Sequence, residues 1–298
     1  MSIDIRSCRP DELEGLIRLL DEEFIFRKGR TISLRLRFPT VFCQNNLHNI
    51  IVCMDGTQIT SALAMRHFDW RENNDIFRGA MIGAVFTHPA RRGEGLASRL
   101  LAMATVQLRE EGVDFGILWT GQPSFYARLG WMAADSGVLG EIELNESMPE
   151  PHDKVTLLST GTSAAQIEVI RRNWLNTMTF RNIGDYNQLP LSAERVDVLW
   201  CEMDGKIAYA LLGGSGTTGF LYELVGDATC FLALWREICH GRQRVFVNDQ
   251  IDNSSCRWLT DHTGVIWKKK NLAMWLPLSE RVSMPRLGQW YIPYFDRI

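Results

Sequence analysis

Ile82-Gly83-Ala84-Val85-Phe86-Thr87-His88-Pro89-Ala90-Arg91-Arg92-Gly93-Glu94-Gly95-Leu96-Ala97-Ser98-Arg99-Leu100-Leu101 carries the strongest signal in this 298-residue chain. Its front end belongs to a strand, Ala80–Thr87. Its back end opens a helix with Leu96, Leu100, Leu101, Ala104 and Leu108 on one face, ended by Gly112. A basic loop with two glycines joins them. Glycine lets successive main-chain N–H groups converge with no Cβ in the way. Such a nest at the positive end of a helix binds anionic oxygens, and a pyrophosphate is the natural guest. A pair of glycines alone also fits an ordinary structural turn. No Lys-Ser/Thr follows the glycines, which argues against a nucleotide-hydrolysing P-loop. A dinucleotide fold would set its first glycine directly after the strand, whereas His88–Glu94 makes a longer loop.

Outward from this unit the chain reads as alternating strands and helices, the α/β (α+β) class. Ile3–Arg6 is a short edge strand. Pro10, Asp11 and Glu12 open a helix whose apolar face is Leu13, Leu16, Ile17, Leu20 and Phe24. Ile50–Met54 and Ile59–Ala64 are strands about an Asp55-Gly56 turn. Phe115–Trp119 is a strand, and Ser124–Leu129 a short helix stopped by Gly130. Two prolines and three acids within Asn145–Asp153 mark a linker. The spacing then predicts a helix near Ser163–Met178, and strands at Val196–Cys201, Ile207–Leu212 and Phe220–Val225. A helix at Ala228–Cys239, a strand at Val245–Val247 and a helix at Ser254–Leu259 follow. Strands near Val265–Trp267 and Met274–Leu276 close the series. The order repeats that of the first half, so a diverged internal duplication is expected. The divisions are a first domain at 1–145, a linker at 146–154 and a second domain at 155–298.

Composition narrows the class. Hydrophobic residues are 46% and charged residues 22%, ordinary for a globular chain. A net charge of −3 lacks the basic excess of a nucleic-acid binder. No apolar run approaches a membrane span, and Met1–Arg6 lacks a secretory apolar region. The seven cysteines are scattered and form no CxxC pair, and the histidines have no ligand spacing, so no disulfide framework and no metal are expected. A cytoplasmic protein fits, and a homo-oligomer is compatible. Seven of the ten tryptophans follow the linker, which reads as core filling.

The strand–loop–helix unit resembles motif A of the GNAT superfamily of N-acetyltransferases, Arg/Gln-x-x-Gly-x-Gly/Ala. Arg92, Gly95 and Ala97 fill the pattern, Gly93 is a frequent extra glycine, and the Val-x-Thr-His-Pro lead-in also matches. Pro123-Ser124-Phe125-Tyr126-Ala127-Arg128-Leu129-Gly130-Trp131 resembles motif B. The resemblance implies two tandem GNAT-like lobes, each a mixed, mostly antiparallel twisted sheet flanked by helices. It implies acetyl-CoA as cosubstrate, with Val85, Phe86 and Thr87 along the pantetheine arm. The amides of Arg92, Gly93, Glu94, Gly95, Leu96, Ala97 and Ser98 would hold the pyrophosphate, with charge added by Arg91 and Arg92. It also implies that Tyr126 is the acid that protonates the departing thiolate. Over the whole chain the likeness is to the enhanced-intracellular-survival type, an active lobe followed by a degenerate one. Leu221–Asp227 resembles the strand of that second lobe, which lacks Arg-x-x-Gly-x-Gly and is expected not to bind CoA. Relatives of that type continue into a sterol-carrier-like domain, a stretch without counterpart here. Their terminal carboxylate serves as base, a role open for Ile298.

The reaction so implied is direct attack by a primary amine, on a small molecule or a peptide, upon the thioester in a ternary complex. The strand N–H at Phe86 is the expected carbonyl donor. Glu22, Glu23, His67 and Asp69 are base candidates, though each reads first as an ordinary surface or capping residue. His88 reads as a turn former. The rivals are a non-catalytic CoA-binding regulatory protein, and a transferase of a longer acyl group or to an O-nucleophile.

Overall fold

The computed structural model describes residues 3–144, 153–270 and 272–298. Most of the expected linker thus falls outside the described residues. The first run of elements is β1 (Ile3–Ser7), α1 (Leu13–Phe24), α2 (Leu34–Arg37), β2 (Ile50–Asp55), β3 (Gln58–Glu72), β4 (Asp75–Thr87), α3 (Leu96–Glu110), β5 (Phe115–Trp119), α4 (Pro123–Ala127), β6 (Met132–Ala133) and β7 (Gly137–Glu143). The second is β8 (Val155–Ser159), α5 (Thr160–Trp174), β9 (Thr177–Thr179), β10 (Arg195–Met203), β11 (Lys206–Ser215), β12 (Thr218–Gly226), α6 (Phe231–Cys239), β13 (Arg244–Gln250), α7 (Ser254–Thr263), β14 (Ile266–Lys269), β15 (Ala273–Pro277) and α8 (Met284–Leu287).

These form two mixed, mostly antiparallel sheets flanked by helices, one per tandem lobe. In each, three antiparallel strands lead through a helix to a strand parallel to the third. β2, β3 and β4 lead through α3 to β5, and β10, β11 and β12 lead through α6 to β13. The strand beyond the parallel pair comes from the other half of the sequence. β15 pairs with β5 over Ala273–Pro277, and β7 pairs with β13 over Gly137–Glu143. The division at 146–154 therefore does not divide the sheets. Local pattern hides this, because Gly137 and Gly140 interrupt the apolar run of β7 and leave it without a clear strand signal. Both glycines are packing sites, since a Cβ on Gly137 would stand 2.8 Å from the Tyr291 ring and one on Gly140 2.6 Å from Val265.

A second difference lies after α5. The helix ends at Trp174 rather than running to Met178, and Thr177–Thr179 becomes β9, paired with the far end of β3 at Trp70–Glu72. β3 and β4 extend well beyond their apolar centres as a long hairpin, and its end offers β9 an edge that the helical spacing could not reveal. The apolar helix faces are as the periodicity requires. Leu16 and Leu20 of α1 and Leu100, Leu101 and Leu108 of α3 are buried. Five tryptophans, Trp70, Trp131, Trp235, Trp275 and Trp290, fill the cores, whereas Trp174 is exposed.

A buried ion network ties the lobes and the last residues together. Arg181 donates to Asp296 (2.6 and 2.9 Å) and to Glu223 on β12 (2.6 and 3.0 Å). Tyr209 donates to Glu223 at 2.8 Å, and Thr179 to Asp296 at 2.6 Å. Arg66 of β3 reaches the Asp296 carbonyl at 2.8 Å and Asp185 at 2.8 Å. Removing one member leaves a buried charge uncompensated, which costs about 3–5 kcal/mol. Burial opposes ionisation of Asp296, but Arg181 outweighs it, aided by Arg171 and Arg66, and holds the carboxyl down at about 2. Its ionised form therefore adds stability above the ordinary carboxylate range, and that contribution fades as pH falls through about 4 toward 2. Arg181→Ala should lower the urea-unfolding free energy at pH 7 by about 3–5 kcal/mol. Asp296→Asn should flatten the loss of stability between pH 5 and pH 3 relative to the parent chain.

Candidate active site

β4 and β5 pair in parallel over only three residues, Gly79–Met81 with Phe115–Ile117, and then diverge. On its other side β4 pairs with β3, but the register slips between Ala62 and Ala64. Ala84 and Val85 face Leu63 together, and Ala84 takes φ +50°, unusual for a residue with a Cβ. The main chain at this bulge therefore has no ladder partner on either side. Phe86, the expected donor position, regains register with Ala62, and its carbonyl accepts from Ser61 Oγ at 2.5 Å. The bulge residue Val85 is better placed than Phe86 to present an N–H to the gap.

The widening gap leads to the glycine loop. His88 Nδ1 accepts from Ala90 N at 3.3 Å and shapes the turn, as expected. Gly93 and Gly95 have φ +88° and +75°, and a Cβ on either would meet nothing within 4 Å. The glycines are thus required by backbone conformation and leave open space. Gly95 begins the 15-residue helix α3, and no side chain caps that end. The first N–H groups of α3 lack intrahelical partners and point outward with the positive end of the helix dipole. This cradle fits the diphosphate that the resemblance implies.

A cleft of about 890 Å³ runs along these elements. Val85, Phe86, Thr87, Arg91, Arg92, Gly93, Gly95, Leu96, Ala97, Ser98 and Tyr126 all line it. Glu94 does not. Its carboxylate binds Arg91 Nε at 2.7 Å, and that bond holds its pKa below the ordinary carboxylate value. Arg91 also binds Asp55 at 2.6 Å, and Arg92 binds Glu23 at 2.9 Å and the Thr87 carbonyl at 3.2 Å. Both guanidiniums therefore hold the loop's shape, and their charges are matched by carboxylates. The main-chain donors at the cradle are left free, and Arg128, which also lines the cleft, has no carboxylate partner among the described residues.

Tyr126, on α4, faces the loop across the cleft. Its ring packs edge-on to Phe125 at 4.9 Å and Trp131 at 6.4 Å. Burial raises its pKa, so the hydroxyl stays protonated at neutral pH. No described residue shares a hydrogen bond with that hydroxyl. Of the base candidates only Glu23 lines the cleft, and it is bound to Arg92 and Arg27. Glu22 and Asp69 are exposed elsewhere. His67, its pKa lowered by burial, faces Glu111 at 3.3 Å. A residue that sequence reasoning left open lies closer. Ile298 reaches the neighbouring pocket, where a Cβ on Gly83 would stand 3.0 Å from its main-chain carbon and oxygen.

In the second lobe the corresponding turn is closed. Gly226 ends β12 with its Cα packed so tightly that a Cβ would stand 2.4 Å from the Ile207 carbonyl. Asp227 then accepts from Thr229 N at 3.0 Å and Thr229 Oγ1 at 2.7 Å. A carboxylate thus caps the short turn Ala228–Cys230 that leads into α6, whereas the loop before α3 has no side-chain cap.

Residues 4–134, a little under half of the chain, match the model of the acetyltransferase (GNAT) domain family. No curated protein matches the chain. Solved structures share the fold across both lobes. A conserved Enterococcus faecalis V583 protein of unknown function, described as a probable N-acyltransferase, aligns at TM-score 0.74 and 17% identity, covering 94% of this chain and 73% of its own. A GCN5-related N-acetyltransferase from Anabaena variabilis aligns at 0.73 and 14%, covering 93% and 73%. Eis1 from Mycobacterium abscessus aligns at 0.62 and 12%, covering 93% and 74%.

The contrast between the two lobes suggests a direct test of the cradle. Gly95→Asp should weaken CoA binding by about tenfold or more, a change equivalent to about 1.4 kcal/mol. Gly95→Asn carries the same positive-φ demand without the charge and should bind nearly as the parent does. Calorimetric titration with CoA checks both.

Proposed function

We propose that the chain transfers the acetyl group of acetyl-CoA to a primary amine by direct attack within a ternary complex. The observation that carries this reading is the continuous cleft joining three features: the uncapped N-terminus of α3, the unpaired bulge of β4 and the Tyr126 hydroxyl. When bound, acetyl-CoA supplies the activated acetyl thioester. The N–H groups from Gly93 to Ser98 bind its diphosphate oxygens. Val85 N–H donates to the thioester carbonyl oxygen and stabilises charge as it develops there. Tyr126 Oη, held protonated by burial, donates its proton to the sulfur as the C–S bond breaks. Much of the acceleration comes from holding two reactants in one orientation.

The rival reading is a regulatory protein that binds CoA without turnover, and Tyr126→Phe separates the two. For an enzyme, thiol release with an acceptor amine should fall by about a hundredfold or more, while the dissociation constant for CoA changes little. A parent chain that binds CoA and acetylates none of a broad set of amines would favour the rival. A chain that does not bind CoA would remove both readings.

A further inference from the structure

Beside the cofactor cleft lies a separate apolar pocket of about 280 Å³. The two share Phe24, Val85 and Tyr126, so they meet where the thioester carbonyl would lie. The pocket runs inward from there to Leu34, Phe38 and Phe42, at and beyond α2, and to Ala64 of β3. Leu191, from the second half of the sequence, closes it. Among the described residues that line it, no side chain is charged and Tyr126 and Trp119 alone carry a polar side-chain atom, while the main chain of Ile298 borders it beside Gly83. The space equals that of roughly nine liquid waters at about 30 Å³ each, several times what an acetyl methyl fills.

Two physical consequences follow. A group entering this pocket must shed its water and meets apolar side chains, with main-chain groups such as those of Ile298 as its polar partners, so a second charge set among Phe38 and Phe42 is disfavoured. The same surroundings lower the pKa of an incoming ammonium, because desolvation disfavours the charged form. The pocket itself thus favours the neutral, nucleophilic amine at a place where no carboxylate or imidazole side chain stands ready.

Resting on the acetyl-transfer reading above, we propose that the acceptor is a monoamine on an uncharged hydrocarbon frame, of the size of hexylamine or phenethylamine. Its frame lies among Phe38, Phe42 and Ala64, with its nitrogen toward Val85 and Tyr126. In the reaction the nitrogen lone pair forms the C–N bond and the C–S bond breaks. The sulfur takes the Tyr126 proton, and the amine's surplus proton leaves to solvent.

The test uses the full chain with acetyl-CoA and a matched pair of acceptors, hexylamine and 1,6-diaminohexane, read by thiol release. The expected result is a kcat/KM about a hundredfold higher for hexylamine, because the diamine must bury a second ammonium. Leu191→Trp, which fills the pocket from a loop, should move the preference from hexylamine toward methylamine. A second arm compares hexanoyl-CoA with acetyl-CoA, using methylamine as acceptor. Equal rates for the matched pair would overturn the proposal. So would a strong preference for hexanoyl-CoA that Leu191→Trp abolishes, since the pocket would then hold the acyl chain. CoA binding with no reaction of hexylamine or phenethylamine would also overturn it. CoA titrated calorimetrically in parallel keeps these outcomes apart from failure of the acetyl-CoA reading, which would show as no binding at all.

Discussion

The three-residue parallel contact between β4 and β5 is the constraint on which the site depends. Parallel neighbours need a crossover, and α3 is that crossover. Its N-terminus must follow the carboxyl end of β4, so a helix dipole is delivered to the mouth of whatever gap opens there. The gap opens because the pairing stops at Met81. Large rings fill the vertex behind it: a Cβ on Gly79 would stand 2.5 Å from Phe68, and one on Gly116 would stand 2.9 Å from Trp131. Side chains at those glycines would push the strands apart at the wrong place. The aromatic vertex and the open cleft are two ends of one wedge.

How much was legible follows from how local each feature is. The strand, loop and helix from Ala80 to Leu108 could be read because glycine conformation and helical periodicity act within a few residues. The paired arginines could be seen, but not what they do. Arg91 meets Asp55 across 36 positions and Arg92 meets Glu23 across 69, so what reads as free positive charge is a set of struts. Arg181, Glu223 and Asp296 look like ordinary surface charges in the sequence, and only the packing of three distant segments makes them a buried cluster. The apolar pocket is assembled from Phe38, Ala64, Leu191 and Ile298, and no window of sequence contains it.

The lobes share a plan and differ at one turn. In the first, glycine conformation leaves the helix N-terminus bare. In the second, Asp227 supplies its own anion to that end of the chain. The second lobe's remaining contribution to the site is architectural. It supplies Leu191 to the pocket wall, and through Arg181 it seats the segment that carries Ile298. One lobe offers the donors and the other sets the dimensions of the space beside them.

The crossing of β7 and β15 gives the molecule an interlocked economy. Cutting the chain near residue 150 would yield two halves, each bearing a strand built for its partner and each lacking the strand that finishes its own sheet. Each half would present a raw seam of unsatisfied amides and carbonyls. The two halves cannot be shuffled as separate cassettes, and inheritance must carry them as a pair.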